Sequence, residues 1–126
     1  MSQPADPLAD ALQMQRDAAE LGFDWRELNE LWDKLAEEIG ELKEAVAEGP
    51  AAVQDELGDL LFMAVNLARH LGVDAGAALA SSNEKFRRRF AHICAHADTL
   101  PPLGDPARLD AMEAWWQDAK RLEKRR

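Results

Sequence analysis

Val53-Gln54-Asp55-Glu56-Leu57-Gly58-Asp59-Leu60-Leu61-Phe62-Met63-Ala64-Val65-Asn66-Leu67-Ala68-Arg69-His70-Leu71 is the stretch that decides the fold. At about 100° per residue, Val53, Leu57, Leu60, Leu61, Ala64, Leu67, Ala68 and Leu71 share one side of a helix, with Phe62 and Val65 on the other. A helix apolar on two faces belongs at the centre of a bundle or at a subunit interface, so Phe62 and Val65 are expected to need cover from a second subunit. A third stripe is different. Glu56, Asp59, Met63 and Asn66 follow one another at spacings of three, four and three, and Asp59 stands between Gly58 and the apolar run Leu60-Leu61-Phe62.

Helical patterns continue on both sides of this segment. Gly49-Pro50 punctuates its start, since glycine can stop one helix and proline can open the next. Before it, Leu28, Leu31, Trp32, Leu35, Ile39, Leu42 and Val46 form one apolar stripe, with Asp24-Trp25-Arg26-Glu27 read as a capping box in front. Earlier still, Leu8, Leu12, Met14, Ala19 and Leu21 give a looser helix that stops near Gly22. After Gly72, Asp74 can cap a fourth helix with Leu79, Phe86, Phe90 and Ile93 in register, running to about Ala97. Thr99 to Gly104 reads as a loop, and Asp110-Ala111-Met112-Glu113 as a second capping box that opens a last helix through Met112, Trp115, Ala119 and Leu122. Trp32 and Trp115 are expected in the core. With no period-two run of β-branched residues, the fold class is all-α, a bundle of about five helices, with residues 1–7 a disordered start and residues 8–124 one domain.

The second helix carries a matching acidic cluster, Glu37-Glu38-Ile39-Gly40-Glu41, fifteen residues before Glu56. Glu38 and Glu41 lie about 60° apart on their helix, and Glu56 and Asp59 repeat that spacing on the next. In a hairpin, four carboxylates could converge on a hard divalent cation, with substrate phosphates filling its open positions. That is the chemistry of a phosphate-ester or anhydride hydrolase. The same acids also read as a solvated face.

Basic residues are concentrated in Asn83-Glu84-Lys85-Phe86-Arg87-Arg88-Arg89-Phe90, where Lys85 and Arg89 share a face beside Phe86 and Phe90 and could grip phosphate. Trp116 and Lys120 form a similar aromatic and ammonium pair. His92 and His96 have zinc-compatible spacing, yet no third ligand or H-E-x-x-H pattern accompanies them. A di-iron bundle needs Glu-x-x-His twice, and no Glu here has a His three residues on.

Composition narrows the class. The chain has 126 residues, 47% of them apolar, enough for one core. A net charge of −9 argues against sequence-independent nucleic-acid binding, and no eighteen apolar residues occur in succession, so neither a nucleic-acid nor a membrane partner is expected. Cys94 is the single cysteine, which fits a reducing compartment and a cytoplasmic location.

Three segments taken together resemble the MazG family of nucleoside triphosphate pyrophosphohydrolases: Gly22-Phe23-Asp24-Trp25, then Lys34-Leu35-Ala36-Glu37-Glu38-Ile39-Gly40-Glu41-Leu42, then Glu56-Leu57-Gly58-Asp59-Leu60-Leu61-Phe62. The likeness continues through Val65 to Gly72, Asn83-Glu84-Lys85-Phe86, Arg88-Arg89-Phe90 and Trp116 to Arg121, so it covers about residues 8 to 123. E-E-x-x-E followed by E-x-x-D is the hallmark. The resemblance implies an all-α homodimer or dimer of dimers that hydrolyses nucleoside or deoxynucleoside triphosphates to the monophosphate and pyrophosphate. It implies Mg²⁺, with Mn²⁺ able to substitute, held by Glu38, Glu41, Glu56 and Asp59. It also implies Glu37 as a water-orienting base, Lys85 and Arg89 on the triphosphate, and Lys34, Asn83, Trp116 and Lys120 as further nucleotide contacts. The chain resembles one catalytically complete domain where many members have two. Narrower action on dUTP or a phosphoribosylated nucleotide, or a non-enzymatic helical dimer that binds a protein, are the alternatives.

Overall fold

A computed structural model describes residues 6–125. Five α-helices follow in order, α1 (Pro7–Glu20), α2 (Leu28–Ala45), α3 (Pro50–His70), α4 (Ala75–Cys94) and α5 (Pro106–Lys124), with a 3₁₀ turn at Ala97–Thr99. No strand occurs among the described residues. The chain divides between Ala78 and Leu79 into two compact units.

In the first unit α3 packs against both α1 and α2, more extensively against α2, so the two-faced helix is central as its pattern requires. Leu31 and Val65 are its most completely buried large side chains, joined by Ala45 and Met63. Gln15 is buried as well and donates from Nε2 to the Phe62 carbonyl at 3.1 Å, pinning α1 to the middle of α3. Gly49 precedes α3 at φ 116° and Gly72 follows it at φ 72°, left-handed conformations that favour glycine and end the flanking helices cleanly.

Several details differ from the sequence reading. Val65 is 2% exposed, whereas Leu57 and Leu61 are 42% and 55% exposed. Because helices pack on two sides of α3, the arc left bare is Leu57, Leu61 and Ala64, with Phe62 at its margin. Trp32 is 46% exposed and not a core residue. The last helix opens at Pro106, capped by Asp105, which accepts from the Ala107 amide at 2.9 Å; Asp110 lies inside it. Likewise Asp74 caps α4 by accepting from Ala77 at 3.0 Å, but that helix ends at Cys94. The expectation for residues 1–5 lies outside the described residues; Asp6 caps α1 and Pro7 is its first residue.

Asp24 differs as well. It does not cap α2, whose start is instead tied by Glu30 Oε1, which accepts from the Arg26 and Glu27 amides at 2.9 and 3.0 Å. Arg69 outcompetes that local role, donating from Nη1 and Nη2 to the two Asp24 oxygens at 3.0 and 2.7 Å. His70 Nε2 lies 2.9 Å from the same carboxylate and the Trp25 amide donates to it at 2.8 Å. The α1–α2 connection is thereby latched to the C-terminal end of α3.

The second unit joins α4 to α5 through long side chains. Phe86 and Phe90 stack at 5.5 Å, and Phe86 meets Trp116 at 5.8 Å. His92 Nε2 reaches Asp118 at 2.8 Å, while His96 packs edge-on to Trp115 at 3.6 Å between centroids. The two histidines thus pack on aromatic and acidic neighbours. Ile93 and Ala119 are buried between them.

The Arg69 guanidinium holds the Asp24 carboxyl well below its ordinary value of 3.8, with His70 and the Trp25 amide adding to the effect. Its stabilising contribution is therefore complete above about pH 4 and lost as the pH falls further. Asp24→Asn should cost about 1 to 2 kcal/mol at pH 7 by denaturant unfolding, allowing for partial solvent screening. The difference from wild type should shrink steadily from pH 4 towards pH 2.

Candidate metal centre

Regular helix geometry places the acids in pairs. Glu38 and Glu41 are one turn apart on α2, Glu56 and Asp59 one turn apart on α3, and the packing of these two helices brings the pairs face to face. Glu38, Glu56 and Asp59 each present a carboxylate oxygen, and these oxygens lie within 4.8 Å of one another. Glu41 is outside that trio but close enough to feel the charge of both Glu38 and Glu56.

Glu38 is 5% exposed. Its Oε1 meets Lys34 Nζ at 3.4 Å, and the same ammonium meets Glu37 at 3.3 Å. Lys34, expected as a substrate contact, is in this structure also a counter-charge beside the cluster, and Glu37 and Glu38 raise its pKa in turn. One lysine cannot balance the group. Desolvation first, then the charge of Asp59 and Glu38, pushes the Glu56 carboxyl up, and Glu41 is pushed up by desolvation and by Glu38 and Glu56.

Two buried oxygens, Glu38 Oε2 and Glu56 Oε2, have no hydrogen-bond partner. Buried polar atoms left unpaired are costly, and for ionised oxygens the cost is larger still. A divalent cation coordinated at about 2.0 to 2.6 Å would satisfy both at once, and an all-oxygen donor set suits a hard ion. The residues present fit such an ion, with Asp59, the most exposed of the three, left facing solvent.

The basic residues lie in the second unit. Lys85 and Asn83 are exposed on α4. Arg89 is more enclosed, donating from Nε and Nη2 to Glu123 at 3.1 and 2.9 Å, with its guanidinium carbon 5.2 Å from the Trp116 ring centroid. The structure thus pairs Trp116 with Arg89, where sequence spacing paired it with Lys120. Lys120 is half-buried on α5. Glu123 was not expected to matter; it is 34 residues from Arg89 and on another helix, so no local spacing announces it.

These features define an all-helical protein with a carboxylate cluster, able to hold a cation, at the seam of two helices. The family model of the MazG nucleotide pyrophosphohydrolase domain matches residues 26–94, which include all four acids, Lys85 and Arg89, and the chain belongs to that family. It is 43% identical over 121 residues to a protein of Escherichia coli K12 named nucleoside triphosphate pyrophosphohydrolase, covering 92% of this chain and 45% of that one. A Thermotoga maritima protein named nucleoside triphosphate pyrophosphohydrolase/pyrophosphatase MazG is 35% identical over 119 residues, 91% of this chain and 46% of its own. The chain spans less than half the length of these relatives.

A cation that binds only the folded site must stabilise the fold. Saturating Mg²⁺ or Mn²⁺ should raise the melting temperature of chelator-treated protein by about 5 °C or more. Glu56→Gln removes a carboxylate that desolvation and neighbouring charge destabilise. Differential scanning fluorimetry should find that variant at least as stable as wild type in chelator, with most of the cation-induced shift gone.

Proposed function

We propose that this protein hydrolyses nucleoside or deoxynucleoside triphosphates to the monophosphate and pyrophosphate in a Mg²⁺-dependent reaction, with Mn²⁺ able to substitute. The observation that carries the reading is the buried carboxylate cluster with two unpartnered oxygens, in a chain whose relatives are named for that activity. Mg²⁺ supplies positive charge against phosphate oxygens and makes a bound water more acidic. Glu38, Glu56 and Asp59 would hold it, with Glu41 as a fourth ligand. Glu37, partly exposed beside Lys34, orients the attacking water.

Phosphate contacts are assigned to Lys85 and Arg89, which stabilise charge on the leaving pyrophosphate. Lys34, Asn83, Trp116 and Lys120 are assigned to the nucleotide. Residues 8–124 act as one functional domain in the cytoplasm. No described helix is long and apolar enough to cross a membrane. A homodimer or dimer of dimers is the working assembly, supported by the bare apolar arc of Leu57, Leu61 and Phe62 on α3 and by Leu79, Phe86 and Phe90, all exposed on α4.

Product analysis tests the reaction. Incubation with Mg²⁺ and a panel of nucleotides that includes dUTP should release monophosphate and pyrophosphate in equal amounts, and chelator should stop it. Asp59→Asn and Glu56→Gln should each lose about a hundredfold or more in turnover with helical content intact. Orthophosphate as the product, or full turnover in chelator, would defeat the proposal.

Assembly has its own test. Leu61→Glu should shift the protein to smaller species in light scattering and lower activity with it, although no metal ligand is altered. A wild-type protein that is monomeric at micromolar concentration and fully active would rule the interface out.

A further inference from the structure

Arg89 is held by a device that the phosphate-binding role alone does not require. Its side-on edge, Nε and Nη2, is occupied by the Glu123 carboxylate at 3.1 and 2.9 Å, and the guanidinium lies 5.2 Å from the centroid of the Trp116 ring. Glu123 Oε1 also accepts from Arg88 Nε at 3.0 Å. The two arginines push the Glu123 carboxyl down to about 2, Arg89 contributing more than Arg88, so this carboxylate stays ionised through the neutral range. Arg89 is only 16% exposed at its side chain and Glu123 26% exposed, against 52% for Arg88. The enclosed, two-point pair is the one between Arg89 and Glu123.

A bidentate side-on pair fixes a guanidinium in plane and in rotation, because both donors must stay aligned with both oxygens. Stacking on Trp116 fixes the remaining tilt. The end-on edge, carried by Nη1 and the second Nη2 hydrogen, is then directed away from Glu123, and Nη1 makes no hydrogen bond among the described residues. We propose that Glu123 is a positioning residue: it spends its carboxylate on one edge of Arg89 so that the other edge is presented to the nucleotide's phosphates in a set orientation. This rests on the reading above that Arg89 contacts those phosphates. Two guanidinium groups and one carboxylate leave a net charge of +1, so the trio still attracts an anion while its geometry is set internally.

Charge and geometry predict opposite effects, which makes the test decisive. Glu123→Gln removes negative charge, so attraction for the nucleotide does not weaken and KM should not rise. Loss of a defined Arg89 orientation should lower kcat by about tenfold to a hundredfold. Arg89→Ala should lose more, and Glu123→Gln added to Arg89→Ala should change activity by no more than about twofold, since Glu123 acts only through Arg89.

Assays are run below the melting temperature of every variant, checked by circular dichroism. Wild-type kcat in Glu123→Gln, or a further loss of similar size when it is added to Arg89→Ala, overturns the inference while leaving the phosphate role of Arg89 standing. A wild-type rate in Arg89→Ala overturns both. If Glu123→Gln does not fold, Glu123→Asp keeps the charge but is one methylene too short to hold both donors. In that variant a fall in kcat at unchanged KM supports the inference, and an unchanged kcat overturns it. Binding of inorganic pyrophosphate to whichever variant folds, measured by calorimetry, should be no weaker than to wild type. A marked loss of that binding would show that Glu123 serves the fold and not the fork.

Discussion

The mutual repulsion of Glu38, Glu56 and Asp59 at the seam of α2 and α3 is the constraint around which the first unit is built. Apolar contacts about Leu31, Ala45, Met63 and Val65 hold the two helices together, and the same packing forces the carboxylates into one small volume. Attraction along one stripe therefore creates repulsion along the next. Lys34 relieves part of it, and two carboxylate oxygens are left without any partner. A protein can hold such an arrangement only if packing elsewhere exceeds its cost, or if a cation joins the fold, in which case ion binding and folding become one equilibrium. The Gln15 and Arg69 tethers of α3 are the packing side of that balance.

Much of this was legible in the sequence because helix geometry is periodic. Acids three apart on neighbouring helices, with apolar rows beside them, specify a shared face before any coordinates exist, and Gly49-Pro50 and Gly72 mark where α3 begins and ends. What was illegible depended on choices between partners. Asp24 carries a respectable capping pattern, but a bidentate arginine 45 residues away makes stronger bonds than one backbone amide, and nothing local reveals it. Asp110, with an acidic residue three beyond it, carries a capping pattern too, but the helix starts at Pro106 behind Asp105, because proline suits the first helical position.

The face of α3 left bare was also misjudged, for a physical reason. Periodicity shows that Val65 and Leu57 lie on different sides, but not which side the neighbouring helices cover. That follows from the positions of α1 and α2, a tertiary property. The consequence is that the exposed apolar arc runs through Leu57 and Leu61, and Val65 belongs to the core with Leu31. The proposed assembly accordingly rests on that arc and not on Val65.

The placement of positive charge follows from the chain's overall balance. At a net charge of −9 the protein repels anions at long range, so any site for a phosphate must be positive within a Debye length and must not be neutralised by the acids around it. Arg88 and Arg89 share one carboxylate, Glu123, which is too little to cancel them and enough to align them. Full pairing would abolish the attraction, and no pairing would leave the guanidinium free to turn out of its productive orientation. Two cations on one anion is the intermediate that keeps both charge and orientation. The carboxylate seam of the first unit uses the mirror image of that arrangement: Lys34 pairs with Glu37 and Glu38, too little to cancel the cluster, and negative charge is left over beside Glu56 and Asp59. Each unit thus carries an incomplete ion pair, and each deficit has the sign of the group that the proposed function assigns to it: a metal cation in the first and a phosphate in the second.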